Sequence, residues 1–539
     1  MVLGSNPGRP TNKIADCMIA DCRLAAPAQS AICNLQSAIV IGGGLAGLTA
    51  ALSLAEAGAR PLLLEADARL GGRLAGGDTV SLEHGGRSWR FTAEHGIHGL
   101  WGQYHNLRAT LARHGIAADR VPALREDWVH AEGGRVLRAE AGSAVRRSLF
   151  PAPLHYLGLL LRPSFLRMLT LADLIGLPRV AGSLYLALAY DPLMEEIDFG
   201  ERSVAGLFDG WPVRLRAFVS ALMRSGLAAR PEEVPLAGFL AFLRFYTMLR
   251  RDSWAFDYLP ADSGAAVIDP LAAAITAHGG AIRAGATATC VERTPGGWRV
   301  RWGEGEAAHA AEAPQVVLAL DAQAARRLLA ASPDTAARAA DMVWPAGLET
   351  GVVRLWFARA PRSSAESGIC SGEMTIDNFF WLQRFQRDAA AWHAATGGAV
   401  VEAHIYGPPE VLAQPDAALI ARAAADIQRA HPELRGQLIH QTVRRNPPSH
   451  TRFGASGGPR HLAVASPWPD ISCCGDWVAY PHPALFLERA CVTGVAAAAR
   501  ALGELGLPAP AVIPATPPEP LARGLERALR GVRRMVRKR

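Results

Sequence analysis

Ile39-Val40-Ile41-Gly42-Gly43-Gly44-Leu45-Ala46-Gly47-Leu48-Thr49-Ala50-Ala51 decides the reading of this chain, because an apolar run meets GxGxxG and passes into Ala-rich, helix-forming sequence. A dinucleotide site requires that order. Gly42 permits the tight turn out of a strand, and Gly44 lets backbone N–H groups approach a pyrophosphate. Gly47, next to Ala46 in the same turn, lets the helix lie against the sheet. The phosphates then face the positive end of that helix. A second apolar run, Pro61-Leu62-Leu63-Leu64, ends in Glu65, 18 residues after Gly47, where a carboxylate accepts hydrogen bonds from a ribose hydroxyl. An acid there repels a 2′-phosphate and disfavours NADP.

Leu64-Glu65-Ala66-Asp67-Ala68-Arg69-Leu70-Gly71-Gly72-Arg73 resembles the segment after the second strand in FAD-containing oxidoreductases of the amine oxidase and carotenoid desaturase superfamily. The resemblance implies that Gly71 and Gly72 bring backbone against the cofactor and that Arg73 lies near its phosphates. Gly279 to Glu292 is similar to the strand pair that holds the adenine, with Ala288 where a valine is usual. Val316 to Ala322 is similar to the strand that leads back under the flavin. Cys474-Gly475-Asp476-Trp477 and Glu488 to Ala498 resemble the closing flavin segment. There Asp476, beside Gly475, would contact the ribityl chain, and the helix start near Ala490 would face the pyrimidine edge. Glu94-His95-Gly96-Ile97-His98-Gly99 through Arg108 resembles a carotenoid desaturase pattern that runs along the isoalloxazine at Gly96, placing Glu94 or His98 where substrate meets flavin. Packing of the cofactor loop is the alternative role for His95 and His98, and without partner ligands the pair implies no metal. The implied cofactor is FAD. The implied fold is α/β: an FAD-binding, Rossmann-like domain of the glutathione-reductase type, with an interleaved α+β substrate domain.

At 539 residues, half of them hydrophobic, the chain can bury a large core. The three nucleotide-binding stretches are expected at 37–110, 266–330 and 461–506, and substrate-domain stretches at 111–265 and 331–460. The substrate domain should contain a mostly antiparallel sheet, with strands at Val352–Phe357 and Ala399–Tyr406. Eight cysteines without regular spacing fit a reducing cytoplasm. Adjacent Cys473 and Cys474 read as small buried residues before a turn, with a covalent flavin tether as the alternative. Residues 1–36 show no helix or strand period and no secretory pattern, and are expected to be a disordered extension.

Of 56 basic residues 54 are arginine; the only lysines are Lys13 and Lys538. Amine oxidases of the superfamily generally hold a lysine through water at the flavin, so amine oxidation is not expected. Gln103 to Leu111 and Gly475 to Ala490 look most like the aromatic-ring-forming desaturases, the isorenieratene synthase (β-carotene desaturase/methyltransferase) type, although Glu488-Arg489-Ala490 replaces the Glu-Gly-Ala common in linear carotene desaturases. The implied reaction passes a hydride from a carotenoid or related isoprenoid to flavin, with Glu94 or His98 as base. Desaturation of an acyclic carotene, isomerisation of a polyene, and non-enzymatic isoprenoid carriage like that of GDP-dissociation inhibitors are the alternatives.

Two segments point to a membrane. Residues 151–190 are strongly apolar but broken by Arg162, Arg167, Asp173, Pro178 and Arg179, so they read as a buried helical pair or a monotopic docking surface. Residues 521–539 hold eight Arg or Lys against one Glu, a charge equal to the formal +7 of the whole chain. Leu521, Leu525, Ala528, Leu529, Val532 and Val536 recur at helical spacing, with Arg523, Arg527, Arg530, Arg534 and Arg537 on the other side. That pattern favours an anionic membrane surface over a solvated tail, and nucleic acid is not an expected partner. Proline-rich 507–520 reads as a semi-rigid linker separating this helix from the catalytic body. The expected location is the cytoplasm, peripheral on the inner face of the membrane; the electron acceptor is not readable.

Overall fold

Strands Ala38–Ile41 and Pro61–Leu64 carry no polar residue and are buried throughout, as strands covered on both faces must be. In the computed structural model, which describes residues 37–537 apart from 196, 198, 201 and 453–459 and the side chains of 536 and 537, they lie at the centre of a five-stranded sheet. Its order is Ala281–Arg283, Pro61–Leu64, Ala38–Ile41, Gln315–Leu318, Ile471–Cys473, and every pairing is parallel. The expected extension 1–36 lies outside the described residues, as do both lysines. Helix Leu45–Glu56 is buried from Leu45 to Ala55 and is crossed by helix Phe486–Glu504 at Gly494, where a Cβ would come within 2.6 Å of the Ala46 carbonyl oxygen. An antiparallel three-stranded sheet, Ala286–Thr294, Gly297–Glu304 and Ala307–Ala313, follows the edge strand directly.

The second layer is a seven-stranded sheet in the order Leu438–Thr451, Gly347–Phe357, Ala399–Ile405, Asn378–Trp381, Ser367–Gly372, Glu126–Glu132, Arg135–Glu140. It is antiparallel except where Ser367–Gly372 meets Glu126–Glu132. Register places Arg354 opposite Glu402, and their side chains meet at 2.6 Å with 2% and 0% exposure. A fully buried pair keeps its charges only while both partners are present.

The structure corrects two readings of the apolar and basic segments. Helix Leu171–Leu184 buries only Asp173 and Val180, so residues 151–190 do not form a buried helical pair. Nor does the proline-rich stretch hold the basic helix away from the body. Its extended backbone has no internal hydrogen bonds, which leaves it free to pair: Asn106 donates to the Ile513 carbonyl and accepts from the Ile513 N–H, and Glu519 accepts from the Ala152 and Arg251 N–H groups. Helix Pro520–Arg537 then docks through Leu525 and Leu529, which pack against the core, and through ions. Arg244 reaches Asp191 at 2.8 Å and Glu526 at 2.6 Å, Arg530 reaches Asp191 at 3.3 Å, and Arg533 reaches Glu195 at 2.7 Å.

Glu402→Gln should destabilise the protein by about 3–5 kcal/mol because it strands the buried Arg354 charge, and Arg354→Leu with Glu402→Leu together should recover most of the loss; denaturant melts of the three variants measure this. Arg244→Met should release the C-terminal helix, detected as faster limited proteolysis within residues 507–537 while flavin absorbance is retained.

Candidate active site and cofactor groove

The turn after Ala38–Ile41 is built as its glycines require. Gly42 has φ +108°, and a Cβ on Gly47 would lie 1.9 Å from the Gly42 carbonyl oxygen. Glu65 braces the turn by accepting the Gly43 N–H at 2.6 Å and the Asp67 N–H at 2.9 Å; burial raises its carboxyl above the ordinary value despite those bonds. Gly71 donates to the Gly43 carbonyl, and Gly44 bridges Gly71, so the two glycine-rich stretches form one backbone cradle with Gly72 facing Gly44. Ala286, two residues before Ala288, donates to the Glu65 carbonyl, which ties the adenine-side strand to the same end of the sheet.

At the far end of the groove Arg73 meets Asp476 at 2.7 Å and lies 3.3 Å from His450. Gly475 donates to the Thr493 hydroxyl, and Ala490 lies buried in the helix behind it. Sequence reasoning missed the residues that hold this loop. Arg489 donates to the carbonyls of Val478, Tyr480, His482 and Ala484, which gives the departure from Glu-Gly-Ala a structural use. Glu488 accepts the N–H groups of Asn106 and Leu107 at the start of helix His105–Arg113. A carboxylate favours that helix end.

Glu94 and His98 come together on one small pocket with Ile97, Leu259, Ser263 and Phe385. Glu94 also borders a cavity of about 270 Å³ whose other walls include Val352, Arg354, Glu402 and Arg444. Burial pushes the Glu94 carboxyl up to about 7, although Ser263 donates to it through both N–H and hydroxyl. Burial takes His98 down to about 4 and His95 to about 2, with the Arg73 charge acting in the same direction, so both rings are neutral. The rings stack with centroids 6.1 Å apart.

Behind Gly96 stands a polar chain that motif and spacing did not reveal. A Cβ on Gly96 would lie 3.4 Å from His404. His404 Nε2 is 2.9 Å from Glu402 and its Nδ1 is 2.8 Å from the Tyr406 hydroxyl. Burial alone would raise the Glu402 carboxyl, but the Arg354 charge and His404 bring it down to about 2, so it stays ionised. The signal was present in strand alternation: Glu402 and His404 share one face of an otherwise apolar strand.

The glycine cradle, the acid at the end of the second strand, and Arg73 with Asp476 at the other end fit an extended dinucleotide such as FAD. Family comparison agrees. Residues 45–502 match the family model of flavin containing amine oxidoreductases. The chain is 30% identical over 484 residues to a carotenoid phi-ring synthase of Streptomyces griseus, covering 87% of this chain and 88% of that protein. It is 42% identical over 88 residues to a carotenoid phi-ring synthase of Chlorobaculum tepidum, covering 16% of this chain and 13% of that one. Among solved structures, cyclohexylamine oxidase from Brevibacterium oxydans superposes with TM-score 0.61 at 16% identity, covering 88% of this chain and all of the oxidase, which speaks to the fold alone. Fold, groove and relatives lead to one assignment: this chain is an FAD-dependent oxidoreductase and belongs to the flavin-containing amine oxidoreductase family.

Proposed function

We propose that the enzyme desaturates a cyclic carotenoid and converts its end ring into an aromatic ring, with one methyl group migrating to the adjacent carbon. The observation that carries this reading is the chemistry of the pocket. Its histidines are neutral, and its walls Ile97, Leu259 and Phe385 are apolar. Such walls suit the edge of a hydrocarbon ring, and the pocket offers a titratable carboxyl in Glu94. The similarity to carotenoid phi-ring synthases over most of the chain supports the same substrate class.

Bound FAD would supply a two-electron, hydride-accepting ring. The protein's own part is to exclude water, hold the ring in place and accept protons. The electron pair of the neighbouring C–H bond becomes the new double bond as its proton passes to the Glu94 carboxylate, which Ser263 fixes by two hydrogen bonds. His98, neutral and buried beside it, packs the ring or takes the proton in place of Glu94. The migrating methyl comes from the substrate's own ring, so no methyl donor enters. Two such oxidations convert a ring with one double bond into an aromatic one. A substrate of this kind partitions into lipid, which favours work at the inner face of the cytoplasmic membrane.

The test is expression in bacteria making phytoene, lycopene or β-carotene, with extraction and identification of products. Aromatic-ring products from the β-carotene strain alone are expected; products from the acyclic carotenes alone would replace this reading by acyclic desaturation. Because a base must be ionised and the Glu94 carboxyl titrates near 7, substrate-dependent flavin bleaching should rise with pH through that range. Glu94→Gln should bind flavin normally, slow bleaching by roughly 10²-fold or more and remove the pH dependence; His98→Asn tests the second candidate in the same assay.

A further inference from the structure

The basic helix Pro520–Arg537 docks with an unexpected face. Its body-facing side carries Ala522, Leu525, Glu526, Leu529, Arg530 and Arg533, so the contact is both apolar and ionic. Leu525 and Leu529 use part of the apolar stripe against the core, and its outer edge is left outside: Leu521 is 38% exposed, Val532 52% and Met535 63%. Exposed Arg523, Arg527 and Arg534 follow on the solvent-facing side beyond that edge, and the helix's only carboxylate, Glu526, is turned into the body.

The apolar segment repeats this pattern independently. Between Ala141 and Tyr185 there are five arginines and one acid, Asp173. Asp173 is 1% exposed and spends its carboxylate on the N–H groups of Thr170, Arg214 and Leu215. Outside remain Leu171 at 74% and Ile175 at 73%, with Arg147, Arg162, Arg167 and Arg179 exposed. Leu171–Ala189 is long and apolar enough to cross a membrane, with 22% of it buried. It is tied along the body instead, through Asp173 and through Arg179 donating to the Asp209 carbonyl. The two elements adjoin at both ends: Glu519 accepts from Ala152, and Arg533 donates to the Ala189 carbonyl.

We propose that these two segments form one docking face for an anionic phospholipid bilayer, with the ionic clasp of Arg244, Asp191 and Glu526 holding the C-terminal helix so that Leu521, Val532 and Met535 face lipid. Apolar side chains enter the acyl boundary and arginines meet phosphate headgroups. No carboxylate of either helix opposes the lipid charge. The inference extends the reading that the substrate is a lipid-soluble polyene, since the face lets the enzyme draw its substrate from the leaflet on which it rests.

The test is flotation of the full-length holoenzyme with vesicles of phosphatidylcholine alone and of phosphatidylcholine with phosphatidylglycerol, at low and high salt. The wild type should float with the anionic vesicles and be released by salt. Ile175→Glu, Val532→Glu and Met535→Glu combined should weaken binding roughly tenfold or more, and Arg523→Glu, Arg527→Glu and Arg534→Glu combined should remove the preference for anionic lipid. Both variants should keep their flavin and turn over detergent-dispersed substrate as the wild type does. Wild type that stays below anionic vesicles, floats equally on neutral ones, or loses a dimer rather than lipid binding in the apolar variant overturns the proposal, as do variants that float like the wild type. Absence of turnover in detergent by every form, with flotation intact, would count against the proposed reaction and leave the docking face standing.

Discussion

The constraint on which the rest depends is the approach of two backbones at the first turn, where the helix begins so close to the strand end that a Cβ on Gly47 would strike the Gly42 carbonyl. That closeness points N–H groups of the helix into the crevice at the carboxyl ends of five parallel strands. Strands drawn from residues 38 to 473 end at the same crevice, so Glu65, Arg73, Gly475 and Asp476 arrive there from distant parts of the chain. Gly494 extends the principle, letting the last long helix press on the first.

Arginine is the internal fastener of this protein. One guanidinium presents five donors in a fixed plane, so Arg489 can gather four carbonyls of a loop and Arg244 can join Asp191, Glu526 and the Ala187 carbonyl. A lysine ammonium could not span either set. The same preference leaves the pocket to neutral histidines and one carboxyl of raised pKa. Buried charge is confined to groups that have partners, and Glu402 stays ionised because Arg354 and His404 surround it.

Much of the cofactor groove is legible in the sequence. Gly42, Gly44, Gly47 and Glu65 act within one strand–turn–helix–strand unit, where spacing alone fixes geometry. The chemistry behind the flavin is only partly legible. Glu94 and His98 stand out because they lie in a local pattern, whereas Glu402 pairs with Arg354 through strand register and with His404 through a shared face. Period-two alternation in Ala399–Ile405 hints at the latter; nothing in the sequence names the partner strand.

The C-terminal region marks the boundary most clearly. The sequence by itself determined that residues 521–537 form a basic helix with an apolar stripe, because helical periodicity and charge are properties of consecutive residues. Which face meets the body was decided only in three dimensions: Arg244 and Glu526, 282 residues apart, pair at 2.6 Å, and Asn106 fastens Ile513. Turns, caps and periodicity are short-range and survive in a linear string. Buried ion pairs between distant segments depend on where the folded backbone places their partners, and only the tertiary structure shows that.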